Sequence, residues 1–107
     1  MPKRVRDYEE GLIEKLRDTE FAAEYLNASL ADADEGSDER FLMALRQVAK
    51  AHGMTAVAEK SGMARQAMYR ALSESGNPEL ASLRALLSAM GFRLAIEQSK
   101  QKKALGF

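Results

Sequence analysis

The spacing of apolar residues constrains the fold of this 107-residue chain more than any other feature. Apolar side chains recur every three or four positions in several consecutive segments, which is the period of one face of an α-helix. Glycines and short polar stretches separate these segments, as expected where helices end and begin. We predict helices over Asp7–Leu16, from a cap at Asp18 to Leu30, from a cap at Ser37 to about His52, over Met54–Ser61, over Ala64–Glu74, and from Asn77-Pro78 to Gly91.

Residues Phe92 to Glu97 depart from the helical period. They alternate apolar and mixed side chains, which predicts one short β-strand. We therefore expect an all-α fold of five to six helices with one short C-terminal strand. The expected organisation is a helical arm over residues 1–36, a domain over residues 37–98 that includes the strand, and a flexible basic tail over residues 99–107.

The composition argues against an enzyme, a metalloprotein and a membrane protein. The chain has no cysteine and one histidine, His52, which excludes disulfides, thiolate zinc sites and histidine clusters. Its serines have no histidine and acid arranged beside them as a catalytic triad requires. No apolar run approaches the ~20 residues of a membrane span, and no signal peptide is recognisable. We expect a cytoplasmic protein without catalytic residues, metal or other cofactor.

Charge is divided unevenly along the chain, although the net charge is zero. Residues 1–40 hold 12 acidic and 6 basic residues, whereas residues 41–107 hold 4 acidic and 10 basic residues. Two halves of opposite sign suit two different partners, although uneven scatter of surface charge would give the same totals.

The segment Met54–Leu72 has the pattern of two short helices that cross at a tight turn. Ala58 is small enough to lie where the helices touch, and Gly62 can adopt the positive φ that the turn favours. Val57, Met63, Met68 and Leu72 can point to the core. The outer face of the second helix then carries Arg65, Gln66, Tyr69 and Arg70, and arginine and glutamine are side chains that read guanine and adenine in the major groove. We predict these four residues and Thr55 to bind DNA, the alternative being a helical hairpin with a solvated polar face.

This segment and the residues around it resemble phage-repressor-like (XRE-type) helix-turn-helix proteins, and more closely the HigA-like addiction-module antidote proteins. The resemblance is carried by these runs: Gly53-Met54-Thr55, Gly62-Met63, Met68-Tyr69-Arg70-Ala71-Leu72-Ser73, Gly76-Asn77-Pro78 and, in the arm, Phe21-Ala22-Ala23-Glu24-Tyr25-Leu26-Asn27. It implies a repressor-like bundle, a homodimer, binding to double-stranded operator DNA, repression of its own operon, and neutralisation of a toxin of the RelE/ParE group. Ala64 and Ser61 depart from the family pattern, which usually has a Ser or Thr cap and an apolar residue there.

Two further interfaces are predicted. Phe21, Glu24 and Tyr25 in the acidic arm are candidates for toxin binding, although the aromatic side chains could instead pack the arm onto the core. Arg93, Leu94, Ala95, Ile96 and Glu97 are candidates for dimerisation, since a single strand needs a partner and none is visible in the chain. The alternative to the dimer strand is an irregular tail that packs on its own monomer. The alternatives to the antitoxin function are a stand-alone phage-type regulator without a toxin and an adaptor that binds protein only.

Overall fold

The computed structural model describes residues 2–31 and 34–99, with side chains from residue 8 onward. Within these ranges the chain forms six α-helices and no β-strand, which confirms the all-α class. The helices are α1 (Pro2–Lys15), α2 (Thr19–Ala31), α3 (Ser37–His52), α4 (Met54–Ser61), α5 (Arg65–Ala71) and α6 (Leu80–Ala89). None of these helices is both long and apolar enough to cross a membrane.

Helix α3 is the centre of the hydrophobic core. Its apolar residues recur every three or four positions, so that one face is buried along most of its length. The buried residues of α3 are Phe41, Leu42, Ala44, Leu45, Val48 and Ala49. Leu16, Ala22 and Leu26 from the predicted arm belong to the same core cluster as Val57, Met68 and Leu86 of the later helices. The arm and the predicted domain therefore share one core.

The starts of α2 and α3 show how these helices are capped. Asp18 caps α2 as predicted, because its Oδ1 accepts hydrogen bonds from the backbone N–H groups of Glu20 at 3.0 Å and Phe21 at 3.5 Å. The predicted cap of α3 at Ser37 is wrong by one residue. Gly36 is the N-cap, with φ 86° and ψ 0°, and Ser37 is already helical.

Helices α5 and α6 are both shorter than predicted. A Cβ atom on Gly76 would lie 2.3 Å from the backbone oxygen of Ala71, so the chain turns back against the end of α5 within five residues. Residues 76–79 are then non-helical, and Glu79, with φ −66° and ψ 157°, is the N-cap of α6. Pro78 is thus not the first helical residue, and α6 begins two residues later at Leu80.

The single chain does not form the strand predicted over Phe92–Glu97. After Gly91, with φ 90°, residues 92–99 are neither helix nor strand. A strand exists only when its backbone N–H and C=O groups pair with a neighbouring strand, and the described part of one chain offers none. Residues 100–107 of the predicted tail lie outside the described residues.

Candidate nucleic-acid interface

A tight turn between α4 and α5 sets the position of the candidate interface. Gly62 has φ 74° and ψ 13°, the left-handed conformation that a side chain disfavours. Its N–H donates to the carbonyl of Glu59 at 3.3 Å, and the N–H of Met63 donates to the carbonyl of Ala58 at 3.2 Å. These two bonds form the Schellman motif, which satisfies the last carbonyls of α4 and turns the chain sharply into α5.

The same two helices are held by small and apolar side chains in the core. Val57 and Ala58 on α4 are buried, and so are Met68 on α5 and Leu72 just after it. Met63 packs against this cluster from the turn. Ala58 lies almost fully buried in a close-packed core. A larger side chain at this position would therefore push the helices apart. Burial on one side of α5 leaves its opposite side for solvent.

The exposed side of α5 carries all four residues predicted there. Arg65, Gln66, Tyr69 and Arg70 are exposed, and Thr55 is exposed in the first turn of α4. The structure therefore brings the four α5 residues together on one outward surface. We call these four residues the α5 face.

Within the α5 face, Arg65 and Tyr69 interact with each other. Arg65 Nη2 donates a hydrogen bond to Tyr69 Oη at 3.2 Å, and the guanidinium carbon lies 5.6 Å from the centre of the tyrosine ring. The residues are four positions apart, the spacing at which side chains on one helix meet. Sequence reasoning placed both residues on one face and missed this pair, although their spacing was a usable signal.

Helix α5 begins without a side-chain cap. Ala64 is the N-cap residue, with φ −64° and ψ 144°, and it makes no side-chain hydrogen bond. The departure noted at Ser61 has a local role, because its hydroxyl donates to the carbonyl of Ala58 at 3.1 Å and accepts from the N–H of Met63 at 3.4 Å. Ser61 therefore supports the turn even though it is not apolar.

A shallow polar groove lies beside the α5 face, and sequence reasoning did not identify it. Arg70 lines it together with Ser73 and Asn77 from the loop that follows α5. The Ser73 hydroxyl donates to the carbonyl of Arg70 at 2.8 Å, which fixes the start of this loop. The groove extends the polar surface of α5 toward α6.

His52 lies at the end of α3 with its ring edge against Phe92, the ring centres being 6.4 Å apart. Burial lowers the pKa of His52, and the positive charge of Lys60 lowers it further. The neutral imidazole is thus favoured. Among the described residues, no three histidine, cysteine or acidic side chains are placed to hold a metal ion.

The residues predicted for toxin binding divide between surface and core. Phe21 and Glu24 are exposed on α2, whereas Tyr25 is half-buried and its hydroxyl donates to Gln47 Oε1 of α3 at 2.6 Å. Burial raises the pKa of Tyr25, with a smaller contribution from Tyr8. Tyr25 therefore helps to hold α2 on α3, and Phe21 and Glu24 are the members of the set that face outward.

The residues predicted for dimerisation lie together after α6. Arg93, Leu94, Ala95, Ile96 and Glu97 are all exposed. Leu94 and Ala95 line a groove whose other wall includes Asn27 and Leu30 of α2. The segment thus runs over the surface of the bundle rather than away from it.

Comparison with known proteins gives two matches. A family described as "Probable addiction module antidote protein" matches residues 8–98. A protein of Haemophilus influenzae, named only as an uncharacterized protein, is 31% identical over 100 residues, which cover 94% of this chain and 98% of that protein. The search of solved structures gave no match.

Proposed function

The chain belongs to the family of probable addiction module antidote proteins, and from this premise we propose that it is the antitoxin of a type II toxin–antitoxin pair that also binds operator DNA as a homodimer and represses its own operon. In this proposal it acts in the cytoplasm and is not an enzyme. An antidote requires a toxin, and we propose one of the RelE/ParE group. This assignment of the toxin rests on the resemblance found in the sequence.

One observation carries the DNA-binding part of the proposal. Helix α5 is held in the core through Met68, while the α5 face stays exposed. A short helix fixed in this way after a tight turn can enter a major groove with its first residues toward the bases. Arg65 and Gln66 are in the first turn of α5, where we propose that they contact base edges. Tyr69 lies one turn after Arg65, and Arg70 beyond it is placed for a contact with the DNA backbone in this proposal.

The proposed base contacts can be tested by titration. The duplex is the segment immediately upstream of the protein's reading frame, and a random duplex of equal length measures non-specific binding. Arg65→Ala should weaken operator binding by about 1–3 kcal/mol and leave random-duplex binding nearly unchanged. Arg17→Ala is the matched control, because Arg17 is an exposed arginine in the turn between α1 and α2.

The outcomes separate the candidate functions. Equal losses on both duplexes would assign Arg65 to the phosphate backbone instead of a base. Failure of the parent protein to bind any duplex would overturn operator binding and favour the protein-only adaptor. Operator binding without any toxin encoded beside it would favour the stand-alone regulator.

Charge supports the proposed toxin interface. A toxin that cuts RNA needs a cationic surface, and acidic residues outnumber basic residues 12 to 6 in residues 1–40 of this chain. Glu24 and the partly exposed ring of Phe21 project from α2, so they offer a negative charge beside an apolar contact. We propose that this part of α2 contacts the toxin.

The toxin interface is tested with the product of the neighbouring reading frame, in the absence of DNA. Glu24→Lys should weaken the complex at least fivefold in calorimetry, and Phe21→Ala should weaken it independently. Glu59→Lys makes the same charge change at an exposed position on α4 and should have little effect. Unchanged affinity in both α2 variants would remove α2 from the interface.

A further inference from the structure

The segment Arg93–Glu97 has backbone groups and exposed apolar side chains that find no partner among the residues that the structure describes. The N–H of Phe92 donates to the carbonyl of Leu87 at 2.8 Å, and no backbone hydrogen bond follows it in the described residues up to 99. Ile96 is 97% exposed and Leu94 is 41% exposed. Unpaired backbone groups beside exposed apolar side chains are the features of a strand edge that can accept another strand.

The surface beside this segment carries two further exposed apolar side chains. On one side lies Leu30 of α2 and on the other Leu80 of α6, exposed by 54% and 63%. The segment lines grooves with both helices. A chain that paired with the segment would therefore cover more than the segment itself.

The charges of the segment are arranged symmetrically about Ala95. Arg93 precedes it by two residues and Glu97 follows it by two residues, and both are exposed. Neither forms an ion pair within the part of the chain that the structure describes. A sequence with opposite charges at equal distances from a central residue is complementary to itself when it is reversed.

We propose that this segment pairs with the same segment of a second copy of the chain, antiparallel and centred on Ala95. In this register Arg93 lies opposite Glu97 of the second copy, and the reverse pair repeats the contact on the same face. On the other face Leu94 lies opposite Ile96 of the second copy, so each covers an apolar side chain that the single chain exposes. The strand predicted from the sequence then forms in the dimer, where each copy supplies the other's hydrogen-bond partners.

A two-fold axis through Ala95 distinguishes this proposal from other ways in which two copies could meet. Such an interface is isologous, so that only a residue on the axis meets itself. The inference rests on the proposed function, which calls for two copies on one operator, and it names the surface by which they associate. Its tests use the protein without DNA, so its failure and that of operator binding can be distinguished.

The absence of cysteine from the chain allows a direct test by single-cysteine variants. Directly opposed residues of antiparallel strands have Cα atoms about 4.5–5.5 Å apart, within the range that a disulfide spans. The two copies of position 95 would meet this condition, whereas the two copies of position 93, or of position 97, would be displaced by four residues, about 13 Å along the strands. Ala95→Cys should therefore form a covalent dimer under mild oxidation, and Arg93→Cys and Glu97→Cys should remain mostly monomeric on denaturing gels.

Each result of the scan decides the proposal. A maximum at position 95 supports it. Equal cross-linking at all three positions, as expected for parallel strands or random collision, overturns it. No cross-linking above the level of Glu59→Cys on α4, an exposed control away from the segment, also overturns it, and would leave the edge to the toxin or to the chain's own surface.

Charge reversal tests the register independently. Arg93→Glu should weaken dimerisation about tenfold in sedimentation at low salt, because both cross-strand pairs become repulsive. Adding Glu97→Arg should restore dimerisation, whereas Arg17→Glu, the same change at an exposed position in the turn between α1 and α2, should not weaken it. Circular dichroism will verify that each variant is folded, as expected for exposed positions. A folded Arg93→Glu variant that dimerises like the parent, or a double variant that fails to recover, overturns the register.

Discussion

At the scale of single residues, the α5 face depends on an arginine that already has a partner on its own helix. The hydrogen bond and ring contact between Arg65 and Tyr69 limit the rotamers of a side chain that would otherwise be free in solvent. Only one of the five N–H donors of the guanidinium is used in that bond, so the group can still bind a base. We therefore expect Tyr69 to favour the proposed contact between Arg65 and a base by orienting the arginine side chain.

Tyr69→Phe tests this orientation. The variant keeps the ring near Arg65 and removes the hydroxyl that accepts its hydrogen bond. We expect a stability change within about 0.5 kcal/mol, because an exposed pair four residues apart on a helix contributes little. Operator affinity should fall severalfold in anisotropy titrations, and Tyr69→Phe should have no effect in an Arg65→Ala background. An equal loss in that background would mean that the hydroxyl contacts DNA itself.

Two glycines provide a matched pair for stability. A Cβ on Gly76 would meet the backbone oxygen of Ala71 at 2.3 Å, whereas a Cβ on Gly11 in α1 would meet no atom within 4 Å. Gly76→Ala should destabilise the protein by about 1–3 kcal/mol, because backbone atoms must move. Gly11→Ala should stabilise it by about 0.5–1 kcal/mol, because glycine is unfavourable within a helix. Urea unfolding measures both, and equal effects of the two changes would contradict the close approach at Gly76.

His52 should make stability depend on pH. Its pKa is lowered from 6.5 in the folded chain, so the unfolded chain takes up a proton first as the pH falls. The contribution of the neutral imidazole is therefore present above pH 6.5 and is lost progressively below it. The free energy of unfolding of the parent should fall relative to that of His52→Gln between pH 7.5 and 5.5. A parent that gained stability over this range would indicate a raised pKa instead.

At the scale of helices, the elements bounded by glycine were the most predictable. Helix α4 lies at its predicted bounds, Met54–Ser61, because Gly53 and Gly62 both have positive φ. The α5 face was also predictable, since its residues follow the helical period around buried Met68. The start of α6 was not, because a non-helical run from Gly76 to Glu79 precedes it, and no periodic pattern reveals the close approach of Gly76 to the backbone of Ala71. The strand predicted over 92–97 is not formed, because the described residues offer it no neighbouring strand with which to pair.

The missing cap of α5 gives a prediction for a helix as a unit. Ala64 already has the extended backbone conformation of an N-cap residue, so Ala64→Ser should supply a hydroxyl to the first N–H groups of α5. We expect the change to raise the free energy of unfolding by about 1 kcal/mol. Ala67→Ser, within the same helix, is the control and should be neutral or destabilising. If Ala64→Ser were no more stable than Ala67→Ser, the helix would not begin where the structure places it.

At the scale of the whole molecule, opposite charge does not mean separate folding. The acidic arm and the basic remainder differ in the partners that they suit, yet Leu16 and Leu26 of the arm lie in the core that α3 organises. Lys50 Nζ of α3 also lies 3.6 Å from Glu9 Oε1 of α1, which joins the two halves at the surface. The two halves of opposite charge therefore belong to one folded unit with a common core.

The shared core predicts that the chain unfolds as one cooperative unit and that a chain beginning at residue 37 is not stably folded. Removing the arm exposes the surface that Leu16, Ala22 and Leu26 cover, and each buried leucine contributes about 1.5–3 kcal/mol. That loss is a large part of the 5–15 kcal/mol by which a typical domain is stable.

Urea unfolding of the full chain should therefore follow one transition at every wavelength, and Leu26→Ala should lower the free energy of unfolding of the whole chain by about 2–5 kcal/mol. Leu30→Ala is the matched control on the same helix, and it should shift the transition much less because Leu30 is 54% exposed. A chain of residues 37–107 that kept a cooperative unfolding transition of its own would show instead that the arm is an independent appendage.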